Sequence, residues 1–360
     1  MLKCPYCGGR SFHRMDAFNR RCIVCGRSFN VQAADKLSRP PKIRNVHGQP
    51  IPEILSRNKY WVFNHQGKAD KIIEALDTKY ERSEHPNNYI QVKFCFTDYA
   101  VWGRTRMLGV MKKQGVERFF IYPHSARPNL INDVMAEWDN ITAQFVTAPG
   151  HIDVMRTFGY PKPLHAVGWM LCPQKEFEPR EQARNILFAP IHPRCDDVDK
   201  RANQKTFSIL EKLAKQDKIH LTVRYISYLE GSGLEHVEHP NIEYVRGVMN
   251  NGYEQIDMAD VVVASNTYAY KAVARGVPTV MMGEKSVPEH WLKTPTLFAQ
   301  NWDKYVDIMA YPFDILDTSD PHRLLERVTK SEYGIKMWKK RMIGEPFCPE
   351  KFMEIVESYL

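Results

Sequence analysis

The sequence predicts an α/β chain: two doubly wound halves behind a small amino-terminal module. Three observations predict it. Short β-rich runs alternate with helical stretches, the series restarts once near residue 171, and four cysteines in two close pairs fall within the first 25 residues. Strands alternating with helices imply parallel sheets covered on both faces. A chain of 360 residues is long enough for two ordinary domains and a small module.

The module spans residues 1–30. Cys4 and Cys7 form one pair in "CPYCGG", and Cys22 and Cys25 form the other in "CIVCG", with fourteen residues between Cys7 and Cys22. Two residues between paired cysteines let both thiolates turn onto one ion. The glycines that follow permit the tight knuckle in which backbone N–H groups point at sulfur. The pattern resembles a zinc ribbon, with a structural Zn2+ on four thiolates and no open position for catalysis. About thirty residues cannot bury enough apolar surface to fold unaided, so the metal supplies folding free energy and Phe12, Phe18 and Phe29 a small core. Two disulfides are the alternative, and the missing export signal argues against them.

Residues 31–57 are rich in proline and basic side chains and lack periodicity, which reads as a linker. Residues 1–48 carry ten Lys and Arg against two Asp, a surplus equal to the entire formal net charge of +8. The rest of the chain is neutral. Positive charge held at one end points to a polyanionic partner there, with Arg10, Arg14, Arg20, Arg21 and Arg27 as candidate contacts.

From residue 58 to 170, "KYWVFNH", "YIQVKFCF", "RFFIYPH", "ITAQFVTA" and "LHAVGW" read as strands, with helices over "KADKIIEALDTKY", "GRTRMLGVMKKQ" and "HIDVMRTFG". From 171 to 330 a second series runs through "RNILFAP", "IHLTVRYI", "NIEYVRG", "ADVVVAS" and "VPTVMMG", with helices at "NQKTFSILEKLAKQ" and "NTYAYKAVARG". Residues 331–360 read as carboxyl-terminal helices. Two Rossmann-like halves facing each other create a cleft at the carboxyl ends of their strands, where nucleotides bind.

Composition narrows the class. Hydrophobic residues at 43% and charged residues at 26% argue for a folded globular chain over a disordered one. No apolar run approaches the roughly 20 residues of a membrane helix, and the start lacks a signal-peptide stretch. A cytoplasmic protein is expected.

"NILFAPIHPR", "HPNIEYVRG" and "YEQIDMADVVVASNTYAYKAVARGVPTVMMG" resemble, in that order, the carboxyl-terminal domain of GT-B glycosyltransferases, in particular CDP-glycerol glycerophosphotransferases and capsule or teichoic-acid-type transferases. "RFFIYPHSARP" and "ITAQFVTAPGHIDVMRTFGYPKPLHAVGWM" fit the amino-terminal half of that family. The resemblance spans roughly residues 59–300 and rests on order and spacing. It implies a nucleotide-sugar as co-substrate, transfer of its sugar to a hydroxyl, and metal-independent chemistry. Many such enzymes bind the donor ribose through a Glu near the final helix. "TYAYKAV" has no acid, and Glu284 is the nearest substitute.

Such a reaction must hold a departing diphosphate and deprotonate an acceptor hydroxyl. Backbone N–H groups at a helix start suit the first task, and Ser265, Asn266 and Thr267 lie between a strand and a helix. Ordinary capping is the alternative for these three. Lys271 and Arg275 follow on the helix, either on phosphate or on a solvated face, and His192 and Arg194 follow the first strand of the second half. For the second task, His124 after "RFFIY" is the leading base, with His65 and Asp98 in the same strand-end context. Asp197 and Asp199, in a loop, have a metal-binding spacing that matches only weakly.

The basic module points to a nucleic-acid acceptor, such as a hydroxymethylated base in modified viral DNA, contacted through its phosphates and flipped out to react. A polyol phosphate or wall glycan is the alternative acceptor. A nucleotide-sugar epimerase and a non-catalytic nucleic-acid-binding protein are the other classes.

Overall fold

The computed structural model describes residues 12–14, 19–22, 28–30, 59–64, 67–83, 92–97, 116–123, 141–191, 197–216, 218–226, 229–247, 253–282 and 308–360. The chain divides into two compact units, Met1–Leu55 and Ser56–Leu360.

In the first unit, β1 (Phe12–Arg14), β2 (Asn19–Cys22) and β3 (Ser28–Asn30) form an antiparallel sheet in that order. Register sets Cys22 opposite Phe12 and Arg14 opposite Arg20. Cys4, Cys7, Cys25, Arg10 and Arg27 lie outside the described residues.

The second unit holds two parallel sheets. The first contains β4 (Lys59–Val62), β5 (Glu81–Arg82), β6 (Phe94–Thr97), β7 (Arg118–Ile121), β8 (Ala143–Val146) and β9 (Leu164–Ala166), ordered β5-β4-β6-β7-β8-β9. The second contains β10 (Asn185–Ala189), β11 (His220–Tyr225), β12 (Ile242–Arg246), β13 (Val261–Ala264) and β14 (Thr279–Met281), ordered β12-β11-β10-β13-β14. All their strand pairings are parallel. Strands covered on both faces have no polar side to display, so Phe94–Thr97 and Val261–Ala264 are buried at every position.

Helices cover these sheets. In α1 (Asp70–Asp77), Ile72, Ile73, Ala75 and Leu76 face inward. Proline at the first turn starts α2 (Pro149–Thr157), α6 (Pro321–Lys330) and α8 (Pro349–Glu357), where its missing N–H costs nothing. Asp320 also caps α6, accepting from the Arg323 N–H at 3.0 Å. The remaining helices are α3 (Asp197–Gln216), α4 (Tyr253–Met258), α5 (Asn266–Ala274) and α7 (Glu332–Met342).

Three sequence expectations need correction or completion. Asp197 and Asp199 open α3 instead of lying in a loop, where carboxylates complement the positive end of a helix. The strand β5 and the helix α4 were not anticipated, because two exposed residues and six mixed ones carry no periodicity. The helix expected over 103–114 lies outside the described residues.

The chain passes between the sheets twice, and the two passages hold each other. Trp169 donates its N–H to the Glu345 carbonyl at 2.8 Å, and Phe347 returns a bond to the Trp169 carbonyl at 3.1 Å. Gly168 permits this approach: its φ is +100°, and a Cβ there would stand 2.4 Å from the Pro346 oxygen. After the second passage α8 packs on the first sheet, where the fully buried Phe352 ring meets Phe96, Phe145 and Phe347. The carboxyl-terminal residues thus help complete the core of the sheet that opens the unit.

Candidate functional site

Strand order determines where a parallel sheet can bind. In order of appearance the first sheet reads 2-1-3-4-5-6, and its winding reverses between β4 and β6; the second reads 3-2-1-4-5 and reverses between β10 and β13. At such a switch point the loops leaving two neighbouring strands diverge toward opposite faces. A crevice opens between them at the carboxyl ends.

In the first sheet, Val62 pairs with Phe96, and Thr97 pairs with Ile121. The chain leaves these neighbouring strands just before His65, Asp98 and His124, which lie outside the described residues. Asn64 and Asp70 tie down the loop beyond β4. The Asn64 Nδ2 donates to Asp70 Oδ1 at 2.7 Å, and Asn64 Oδ1 accepts from the Ala69 N–H at 3.0 Å. Gly67, with φ of +73°, makes the turn between them.

In the second sheet, Ala189 pairs with Ala264, so the loop toward His192 and the start of α5 leave neighbouring strands. His192 and Arg194 also lie outside the described residues, as does Glu284. Ser265 is buried and occupies the N-cap position of α5, but its hydroxyl does not cap the helix. Asn266 opens the helix, and Thr267 follows, partly exposed.

Lys271 and Arg275, one turn apart on α5, have different environments. Arg275 donates Nε to Asp257 Oδ1 at 2.8 Å, Nη2 to Asp257 Oδ2, and Nη1 to the Pro173 carbonyl at 3.0 Å. Lys175 adds a contact to Asp257 at 2.9 Å. Hydrogen bonds from Arg275 hold the Asp257 carboxyl below its usual range, Lys175 acting the same way. Arg275 is therefore neither solvated nor available to phosphate. It fastens α5 and α4 to the chain that joins the two sheets.

Lys271 is half-buried and makes no ion pair among the described residues. Burial lowers its pKa below the usual lysine value; the nearby Cys172 opposes this, and Arg224 adds a smaller lowering effect.

Sequence reasoning missed Arg224 and Tyr268, whose ring lies 4.7 Å from the Arg224 guanidinium carbon. The signal was a lone basic residue near the end of the apolar run "HLTVRY". It also missed His151, fully buried in α2. The Met342 carbonyl can only accept, so His151 Nε2 carries the proton and donates to it at 2.9 Å. Nδ1 then accepts from the Thr147 hydroxyl at 3.0 Å. Burial pushes the pKa of this imidazole down to about 4.

Among the described residues no helix is long and apolar enough to cross a membrane, and no group of three or more His, Cys, Asp or Glu side chains is placed to hold a metal ion. No family model matches the chain, and no curated protein matches it. Solved structures similar to it include the wall teichoic acid polymerase TagF, at 10% identity over 85% of this chain and 90% of that chain with a TM-score of 0.46. The S. aureus MnaA–UDP co-structure is 9% identical over 84% of this chain and 95% of that one, with a TM-score of 0.47. CalG4, the calicheamicin glycosyltransferase, is 14% identical over 82% and 81%, with a TM-score of 0.40.

Proposed function

We propose that the chain is a glycosyltransferase of GT-B type that moves a sugar from a nucleotide-sugar to a hydroxyl on a polyanionic acceptor. One observation carries this proposal: the chemistry-bearing residues read from the sequence follow strands at or next to the switch point of each sheet, His65 and Asp98 after the two flanking strands of the first and His124 after the strand beside them. Potential bases follow β4, β6 and β7, and hydroxyl, amide and basic groups follow β10 and β13. The division matches the two tasks of the reaction.

In this reaction His124 takes the proton of the acceptor hydroxyl, with His65 and Asp98 as the neighbouring alternatives. The hydroxyl oxygen attacks the anomeric carbon, the bond from that carbon to the phosphate oxygen breaks, and the electron pair leaves with the diphosphate. Backbone N–H groups at Ser265, Asn266 and Thr267 and the Lys271 ammonium stabilise the charge that develops there. His192 and Arg194 contact the same donor. Helix dipole and basic groups serve in place of a divalent ion.

The amino-terminal module recruits the acceptor. A donor set of four thiolates, Cys4, Cys7, Cys22 and Cys25, fits a structural Zn2+ and leaves no position for substrate. Arg10, Arg14, Arg20, Arg21 and Arg27 contact phosphates, and DNA carrying a hydroxymethylated base is the acceptor favoured by the located charge. A polyol-phosphate polymer is the second reading, favoured by the resemblance of "NILFAPIHPR" and "ADVVVASNTYAYKAVARGVPTVMMG" to teichoic-acid-type transferases.

Incubation of the full chain with a panel of nucleotide-sugars, together with hydroxymethylated DNA or a poly(glycerol phosphate), tests the proposal. Release of nucleoside diphosphate together with a hexose-sized mass gain on digested nucleosides supports the DNA acceptor; the same gain on the polyol supports the second. DNA binding without any release would overturn the enzyme reading.

A further inference from the structure

The helix α3 has 20 residues and so extends about 30 Å. Its inner face, Asn203, Thr206, Phe207, Leu210, Leu213 and Ala214, is buried, with the Phe207 ring stacked on Phe188 of β10. At about 100° per residue, Arg201, Lys205, Ser208 and Lys212 fall within about 60° of arc directly opposite that face, and all four are exposed. Three cations thus form a straight row with one hydroxyl among them. By the helical rise, Lys205 stands about 6 Å beyond Arg201 and Lys212 about 10 Å beyond Lys205. Because α3 connects two parallel strands, β10 and β11, it starts at the carboxyl edge of the second sheet and runs back along it. The row therefore begins at the edge where a parallel sheet binds.

Lys215, Lys330 and Lys336 are each matched by a glutamate one turn earlier, Glu211, Glu326 and Glu332, at 2.6, 2.6 and 3.2 Å. Arg201, Lys205 and Lys212 have no such partner among the described residues. Asp197, one turn before Arg201, lies 3.7 Å from Lys200 instead. Arg201 and Lys205 are themselves one turn apart, a like-charge pair that works against the helix and that an external anion would relieve. Arg, Lys and Ser are side chains that contact phosphate. The row spans about 16 Å, enough to reach phosphates on both banks of a DNA major groove about 12 Å wide. A duplex holds its phosphates in fixed positions, whereas a flexible polyol phosphate would have to be ordered along the row at an entropic cost. The exposed large apolar side chains among the described residues are Met258 and Met337, neither on α3, so the row has nothing to insert into a lipid surface. It also offers no aromatic ring on which single-stranded bases would stack.

We propose that Arg201, Lys205 and Lys212 form a contact surface for the phosphate backbone of duplex DNA. This surface rests on the DNA-acceptor reading above and lies in the second unit, outside the module to which that reading confined its phosphate contacts. The neutral balance of residues 49–360 conceals it, because the balancing carboxylates form no ion pair with the row among the described residues. Contacts of this kind hold a duplex without reading its sequence. They also let a protein slide along it, so that successive bases reach the same edge of the sheet.

Fluorescence anisotropy of a labelled DNA duplex, titrated with the full chain across a series of salt concentrations, tests the surface. Each phosphate contact contributes about 0.9 to the slope of log K against log salt, so the triple variant Arg201→Gln, Lys205→Gln, Lys212→Gln should lower that slope by about 2.7 and weaken binding about tenfold or more at low salt. A control with the same loss of net charge, Lys330→Gln, Lys336→Gln, Lys340→Gln, should keep the wild-type slope. Thermal unfolding of the α3 variant should not fall, because the exchange removes a like-charge pair from an exposed face. Poly(glycerol phosphate) and vesicles of phosphatidylglycerol with phosphatidylcholine serve as competing probes. An unchanged DNA slope in the α3 variant, or an equal loss in the control, overturns the surface and leaves the acceptor reading to the arginines of the module. Loss of polyol or vesicle binding with DNA binding intact assigns the row to that partner and overturns it equally. A wild type that binds no duplex overturns both the surface and the DNA-acceptor reading.

Discussion

Acidification should expose the role of His151 in fastening α2 to the end of α7. Its neutral ring is satisfied at both nitrogens, by Thr147 and by the Met342 carbonyl at the end of α7. A second proton, on Nδ1, would leave no acceptor for the Thr147 hydroxyl and would place a charge in a fully buried site. The native state therefore resists protonation, with a pKa of about 4 against the ordinary 6.5. The unfolded chain takes up the proton first, so the stabilisation is fully present above pH 6.5 and is lost as pH falls toward 4. At about 1.4 kcal/mol per unit, the shift corresponds to about 3 kcal/mol. Urea unfolding of the full chain, followed by tryptophan fluorescence between pH 7.5 and 4, measures it. All seven tryptophans lie beyond residue 60 and report on the second unit. Carboxylates also titrate in this range, so the comparison is with His151→Gln, whose amide can still donate to Met342 but does not titrate. The stability gap between wild type and variant should narrow by about 3 kcal/mol over that range. Parallel losses in the two proteins would refute the reasoning.

Two further perturbations follow from the packing. Asp257→Ala leaves the Arg275 guanidinium, 8% exposed in its side chain, with the Pro173 carbonyl and the Tyr253 ring but no counter-charge, and should cost about 3 kcal/mol in urea unfolding. Adding Arg275→Met to that variant should restore part of the loss, because the uncompensated charge is then gone. Phe352→Ala opens a cavity among Phe96, Phe145 and Phe347 and should destabilise by about 3–5 kcal/mol; a loss below about 1 kcal/mol would mean that α8 is not part of the first sheet's core.

The strands were legible because parallel strands are covered on both faces and read as uninterrupted apolar runs, as in "FCF" and "VVVA". The short edge strand β5 was not, since Glu81 and Arg82 are exposed and carry no apolar signal. Residues near strand ends could be selected because a parallel sheet binds at its carboxyl edge. Local context could not distinguish Lys271 from Arg275. Both are basic residues on one helix, and Asp257, which commits Arg275 to an ion pair, is 18 positions away.

Taken alone, the sequence determined the α/β class, the paired cysteines, the concentration of positive charge before residue 49 and most of the strands of the two parallel sheets. These depend on local periodicity, composition and spacing, which the chain carries without folding. Only the tertiary structure decided the strand orders that set the two switch points, the return of α8 to the first sheet, and the partners of Arg224, His151 and Arg275. Each of these depends on groups distant in sequence, such as Met342 against His151 or Tyr268 against Arg224. Such contacts leave no periodic trace, because they arise from packing between elements and not from the preference of any one element.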